Sequence, residues 1–280
     1  MLLPEFCEEF YYVKEVNLLE SFHVEKFKIY LKKIREYNIS TIQKWLKGLN
    51  QNYTNQQLKN LKQLTLSHNQ LISIPNLNLP NLEYLDLAFN RLTKISNLNL
   101  PNLQILYLSR NQLTSIPSLN LPNLQILYLF DNQLTSLPNL NLPNIKRLYL
   151  NYNQLISIPE SALNLPNLLY LNLYNNKLTS IPNFNLPNLQ QLYLHYNKLT
   201  SIPNLNLPNL LYLSLSYNHL TYIPNLKLLN INYLHLENNQ LTSFPTLIRP
   251  KLLRLYLWNN PLPETEKVRL KSIYEDKIKF

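Results

Sequence analysis

The chain has 280 residues, of which 45% are hydrophobic and only 15% charged, with a formal charge of +10. That length supports one sizeable core or one long repeat array. The basic excess divides as +2 over 1–60, +4 over 61–248 and +4 over 249–280, without the concentrated stripe that nucleic-acid binding needs; a single cysteine, Cys7, excludes an internal disulfide.

At the N-terminus, MLLPEFCEEFYY has no basic n-region and meets acidic residues by Glu5, which argues against a secretory signal. No apolar run approaches the roughly 18 residues of a membrane helix. The expectation is an intracellular, cytoplasmic protein with no membrane partner. The sequons at Asn38 and Asn52 read as chance in an Asn-rich chain.

Residues 1–58 carry no repeat and read as helical. Phe27, Tyr30, Leu31 and Ile34 share one helical face. A second helix is expected from a capping box of Ser40 with Gln43, an apolar side of Ile42, Trp45 and Leu46, and a stop at the only glycine, Gly48. The segment is assigned as an N-terminal cap or a small adaptor region. Leu3-Pro4-Glu5 resembles the opening of an F-box, but the rest of that motif does not follow.

From Leu61 the pattern L-x-x-L-x-L-x-x-N-x-L sets in and starts again at Leu82, Leu103, Leu124, Ile145, Leu168, Leu189, Leu210, Ile231 and Leu252. These ten copies are 21 residues apart, except for a step of 23 from Ile145 to Leu168. The asparagine never fails: Asn69, Asn90, Asn111, Asn132, Asn153, Asn176, Asn197, Asn218, Asn239 and Asn260. In L-x-L both leucines fall on one side of a short strand. One turn cannot bury them alone, and stacked neighbours bury them for one another. The asparagine leaves the strand at a turn, where its amide can satisfy unpaired backbone groups. Ile74, Ile116, Ile158, Ile181, Ile202 and Ile223 continue the core, and two prolines per unit, such as Pro117 with Pro122, keep the outer side extended. The longer fifth unit, IPESALNLPN, has room for a helical turn at Ser161 and Ala162.

These residues resemble the leucine-rich-repeat family over about 200 residues, in the short-repeat class of bacterial and phosphatase-regulator members. The resemblance implies an α/β solenoid: a curved horseshoe with a parallel sheet on its concave face, an irregular convex side and helical ends. The expected division is 1–58, the ten repeats over 59–262, and a capping helix over 263–280 with Leu270, Ile273, Tyr274 and Ile278 on one face. The composition and near-identical units are also similar to repeat proteins of amoebal giant viruses or amoeba-associated bacteria, which implies partners among host components.

Strand positions free of core duty face the concave side, and thirteen of the twenty tyrosines fall in four such columns. The candidate binding residues are Tyr84, Tyr107, Tyr128, Phe130, Arg147, Tyr149, Tyr152, Tyr170, Tyr174, Tyr193, His195, Tyr196, Tyr212, Tyr217, Tyr233, His235 and Trp258. Tyrosine gives large rigid contacts at low entropic cost. Tyrosine is also a good strand residue, and a tyrosine ladder can stack without a partner. The five histidines have no metal-ligand spacing and there is no glycine-rich phosphate loop, so no catalysis, metal or cofactor is expected. His195, His235 and Glu237 are the one constellation worth checking. The favoured reading is a monomeric scaffold that binds a protein partner. The alternatives are an adaptor, for example a ubiquitin-ligase-type substrate receptor, that recruits a second protein through 1–58, and a nucleic-acid binder using tyrosine stacking.

Overall fold

The computed structural model describes residues 21–96, 98–246 and 251–280, with the side chains of 21–27, 34, 35 and 38 left aside. Cys7, Leu3-Pro4-Glu5 and the side chains of Phe27 and Ile34 lie outside the described residues. The chain divides into two compact units, 1–58 and 59–280.

In the first unit, a single helix α1 (Ser21–Gly48) replaces the two expected. It passes through Ser40, so the Ser40–Gln43 capping box does not form, and Gln43 Nε2 instead donates to the Tyr53 carbonyl at 2.6 Å. The physical reason is continuity of the apolar stripe: Ile39, Ile42 and Leu46 are buried at helical spacing across the expected break. The helix ends at Gly48, but the left-handed residue is Asn50, with φ 58°. Asn50 N–H donates to Lys47 O at 3.1 Å and Gln51 N–H to Leu46 O at 3.0 Å, the paired bonds of a Schellman ending. The capping box lies further on. Thr54 and Gln57 exchange bonds of 2.7 and 3.2 Å at the start of the short helix α2 (Asn55–Lys59).

The second unit is a solenoid built on one parallel sheet, its strands in sequence order. The first five strands are β1 (Gln63–Thr65), β2 (Tyr84–Asp86), β3 (Ile105–Tyr107), β4 (Ile126–Tyr128) and β5 (Arg147–Tyr149). The next five are β6 (Tyr170–Asn172), β7 (Gln191–Tyr193), β8 (Tyr212–Ser214), β9 (Tyr233–His235) and β10 (Arg254–Tyr256). The leucine register never slips: Leu64 faces Leu85, and the series runs on to Leu234 against Leu255. These central leucines are wholly buried. Leu77, Leu79 and their equivalents, with Ile116, Ile158, Ile181, Ile202 and Ile223, close the core from the convex side, while Ile74 is only half-buried. The convex side is extended apart from a 3-10 turn at Glu160–Leu163, where the two extra residues sit.

Each of the ten repeat strands is left through an asparagine, and the eight from Asn90 to Asn239 are buried, at only 4–8% exposed. Asn132 shows the pattern. Its Nδ2 donates to Leu108 O at 2.9 Å and Leu129 O at 3.1 Å, and its Oδ1 accepts from Leu113 N–H at 3.1 Å. The side chain therefore links its own repeat to the preceding one, occupying backbone groups that the turn frees from strand pairing.

At the C-terminal end the helix is shorter than expected. α3 (Glu264–Tyr274) buries Leu270 and Tyr274, but Ile273 is 40% exposed. Glu275 turns the chain with φ 50°, and Ile278–Lys279 forms an eleventh strand, β11, beside β10. Ile278 is thus buried as a strand residue, not as part of the helical face on which its spacing placed it. Glu266 ties α3 to the last turn of the solenoid. Its carboxylate accepts from Phe244 N–H at 2.9 Å and from Arg269, whose hydrogen bond holds it below the usual carboxylate range. Among the described residues no helix is long and apolar enough to cross a membrane.

Candidate functional site

The alternation that buries the leucines turns the flanking residues of every strand to the other face. Register then decides which of them meet. Tyr107 lies against Tyr128, and Tyr128 against Tyr149. Their rings stack at 4.3 and 4.6 Å. The file extends both ways, from Tyr84 through Tyr107, Tyr128, Tyr149, Tyr170, Tyr193, Tyr212 and His235 to Tyr256, with every step between 4.3 and 5.4 Å. These rings are half-buried by one another. Burial pushes the Tyr170 hydroxyl up to about 12, and raises those of Tyr107, Tyr128, Tyr149 and Tyr193. These five phenols therefore stay protonated at neutral pH, and their chemistry is that of contact and neutral hydrogen bonding.

A second aromatic group lies just past the strand ends. The residue before each asparagine of the turn adopts a left-handed backbone in all ten repeats: His68, Phe89, Arg110, Asp131, Tyr152, Asn175, Tyr196, Tyr217, Asn238 and Asn259 have φ between 52° and 61°. Only three of these are asparagine, the residue that tolerates this region best; the others cost about 1 kcal/mol or more each. The geometry persists because the N–H of each of the first nine still reaches the next repeat, as in Tyr196 N–H to Ser216 O at 3.1 Å. The side chains are thereby thrown outward. Phe89, Tyr152, Tyr196 and Tyr217 are 39–48% exposed. Tyr196 stacks on Tyr217 at 4.2 Å, Tyr174 on His195 at 4.3 Å, and Tyr152 meets Tyr174 edge-on with their hydroxyls hydrogen-bonded. Nearer the start, Arg110 lies 4.7 Å above the Phe89 ring and pairs with Asp131 at 3.4 Å.

The candidate residues therefore fall into two sets. Tyr84, Tyr107, Tyr128, Tyr149, Tyr170, Tyr193, Tyr212 and His235 form the inner file. Tyr152, Tyr174, His195, Tyr196 and Tyr217 form the outer cluster. Phe130 touches the inner file edge-on at 6.4 Å from Tyr128, and Tyr233 reaches it at 6.2 Å from Tyr212. Arg147 is exposed beside Tyr149, and Trp258 is half-buried in the column after the strands. The column between the two sets is less free than its sequence position suggests: Ala88, Ser109, Ser214, Ser216 and Glu237 in and beside it are buried. Tyr256, which ends the inner file, and Phe89 are missing from the candidates, although their columns marked them.

His195 is packed among Tyr174, Tyr193 and Tyr196, and burial lowers its imidazole to about 4. His235 Nδ1 lies 3.2 Å from Glu237 Oε1. The adjacent Ser214 hydroxyl is buried and sits 3.4 Å from that of Ser216, so the arrangement offers no exposed nucleophile. Among the described residues no group of three or more His, Cys, Asp or Glu side chains is placed to hold a metal.

A second asparagine file lines the opposite, entering edge of the strands. Asn102, Asn123, Asn144, Asn167 and Asn188 each donate through Nδ2 to the proline carbonyl of the preceding repeat at 2.8–2.9 Å. With Glu83, Gln104, Gln125 and Lys146 they line an open groove of about 630 Å³. The L-P-N that recurs from Leu79-Pro80-Asn81 to Leu207-Pro208-Asn209 signalled this file in the sequence.

Models of the leucine-rich repeat match the chain, in two-copy form at 59–100, 101–142 and 187–219 and in a second form at 143–199. Between them they cover more than half of it. The chain is a leucine-rich-repeat protein. A search of curated proteins found no match. Solved structures of the same architecture include the leucine-rich effector YopM from Yersinia pestis, with 30% identity, 78% of this chain and 61% of that one covered, and a TM-score of 0.64. InlP of Listeria monocytogenes gives 29% identity, coverage of 71% and 63%, and a TM-score of 0.57. Drosophila Toll, in a complex with Spätzle, gives 27% identity, coverage of 77% and 33%, and a TM-score of 0.67. The chain thus spans less than two thirds of each of these three. The leucine-rich-repeat fold is typical of protein-interaction scaffolds and is generally not enzymatic.

Proposed function

We propose that this chain binds a protein partner on its concave face, chiefly through the outer cluster of Tyr152, Tyr174, His195, Tyr196 and Tyr217. The observation that carries this reading is the exposure of large aromatic rings on backbone that is unfavourable for them. The inner file has a use within the fold, since its rings cover one another. Tyr152, Tyr196 and Tyr217 stay in water at positions where asparagine would suit the backbone better. Clustered, rigid, half-exposed tyrosines are the anchors that interfaces favour. Toll is found in a complex with Spätzle, and YopM is an effector, so this architecture serves recognition in its relatives. On this reading the scaffold works as a monomer inside a cell, without cofactor or catalysis, on components of a host.

The test is affinity capture with two variants beside the wild type. Changing Tyr152, Tyr174, Tyr196 and Tyr217 to Ser should lower recovery of the captured partner at least tenfold and leave most of the thermal stability intact. Changing Tyr128 and Tyr149 to Ser should mainly lower the melting temperature, since each ring stacks on both neighbours. A partner retained equally by the outer variant would defeat the proposal.

A second reading is favoured by the separation of residues 1–58 as a compact unit: an adaptor whose N-terminal unit recruits another protein. A partner whose capture depends on that unit and survives the outer tyrosine changes would support it.

A further inference from the structure

Buried polar atoms normally find hydrogen-bond partners. Among the described residues, three that do not are in the one column that follows the strands: Asn151 Oδ1 after β5, His195 Nδ1 after β7 and Glu237 Oε2 after β9. A fourth, Asn238 Nδ2, lies in the turn next to Glu237, while Ser96 Oγ lies apart from them, so four of the orphans are on or beside the surface that the proposed function uses. Glu237 is the most demanding of them. It is only 8% exposed. Its Oε1 lies 3.2 Å from His235 Nδ1, its Oε2 has no partner, and no Lys or Arg among the described residues is within ion-pair distance. A carboxylate taken out of water is best matched by a cation that also fills its free hydrogen-bonding positions.

We propose that Glu237 and His235 form a receptor for one arginine side chain of the protein partner. This rests on the concave-face reading and names one chemical group that the face recognises. A guanidinium supplies forked N–H donors to a carboxylate. It also stacks on aromatic planes, and the rings that flank His235, Tyr212 at 5.1 Å and Tyr256 at 4.3 Å, offer such planes once the imidazole moves. The His235 side chain is 20% exposed and that of Glu237 11%, so the imidazole is the cover that turns aside on entry. The excess positive charge of the chain does not oppose this. The four concave columns hold Arg110, Arg147 and Arg254 against Asp86, Asp131 and Glu237, and so are neutral as a face.

The probe is N-acetyl-arginine amide, titrated into the full isotope-labelled chain while the His235 ring resonances are followed by NMR. The wild type should show a saturable shift in the millimolar range. E237Q, which keeps the shape and removes the charge, should weaken it at least tenfold. D131N, which removes an exposed carboxylate already paired with Arg110, should leave it unchanged. Should E237Q lose its fold, E237D, which keeps the charge and withdraws it by one methylene, should weaken the shift severalfold. A wild type without a saturable shift, or equal shifts in wild type and E237Q, overturns the receptor. Its failure is distinct from that of the concave-face reading. If arginine does not bind while the outer tyrosine variant still loses its partner, only the receptor falls.

Discussion

Every repeat enters its strand through one turn and leaves it through another, and an asparagine marks both in all but the last, where Lys251 stands at the entering turn. The entering asparagines, such as Asn123, are exposed and make a single bond to a proline carbonyl. The leaving asparagines from Asn90 to Asn239 are buried, and Asn132 among them holds backbone groups of its own repeat and the preceding one. The entering edge forms an open amide-lined groove. The leaving edge is a rigid rail that carries aromatic side chains outward from strained backbone. The same residue type therefore makes two different edges, and the rigid one bears the candidate binding surface. Rigidity reduces the ordering cost that a binding surface must otherwise bear on association.

The largest effect expected from this difference is on stability. Asn132→Ala leaves Leu113 N–H and the Leu108 and Leu129 carbonyls buried without partners. It should cost about 3 kcal/mol, at roughly 1 kcal/mol or more per orphaned group. Asn123→Ala gives up one solvent-exposed bond and should cost about 0.5 kcal/mol. Urea midpoints of the two variants check this, and equal losses would erase the distinction between the edges.

Much of this architecture was legible in the sequence because it is position-specific. Leucine and asparagine recur where only burial and turn satisfaction explain them, and register follows from the repeat itself. The left-handed column was harder to see. Phe89, Arg110 and Tyr196 are not residues that advertise positive φ; only the asparagine turn downstream imposes it. The helix through Ser40 shows a stripe of Ile39, Ile42 and Leu46 outweighing a local cap signal. β11 was hidden because two residues become a strand only when β10 offers an edge. Within the candidate surface the columns were legible. The split into a satisfied file and an unsatisfied one was not, because it depends on which rotamers bring Tyr128 onto Tyr149 and leave Glu237 Oε2 alone.

A smaller effect should appear with pH at the leaving edge. His195 titrates at about 4 in the folded chain against 6.5 when unperturbed, first through burial, with His235 also lowering it and Glu237 raising it. At pH 7 the ring is neutral in both folded and unfolded chains. As pH falls through 6.5 the unfolded chain takes up a proton that the folded one refuses. Stability is therefore lost between pH 6.5 and about 4, and the loss is complete below the folded value. The ring is partly exposed, so the loss specific to this group should be about 1 kcal/mol after discounting for solvent screening. His195→Asn should flatten that part of the profile relative to wild type, and equal slopes would show that the ring is freely hydrated.

The smallest stability change should come where the outer cluster meets its strained backbone. Tyr196 holds φ at 53° and stacks on Tyr217 at 4.2 Å. Tyr196→Ala loses the ring contact, worth about 1 kcal/mol, and keeps the strain. Tyr196→Asn loses the same contact but relieves a left-handed cost of about 1 kcal/mol, so its stability should stay within about 0.5 kcal/mol of wild type. Asn175, Asn238 and Asn259 already occupy the equivalent position in other repeats, so asparagine fits the turn. If the outer cluster is an interface, both substitutions should weaken partner capture alike, while only alanine lowers the urea midpoint. A tyrosine that the fold can exchange for asparagine without loss is retained for something outside the fold. Undiminished capture by Tyr196→Asn would leave that tyrosine without a use and return the surface to a simple stacking ladder.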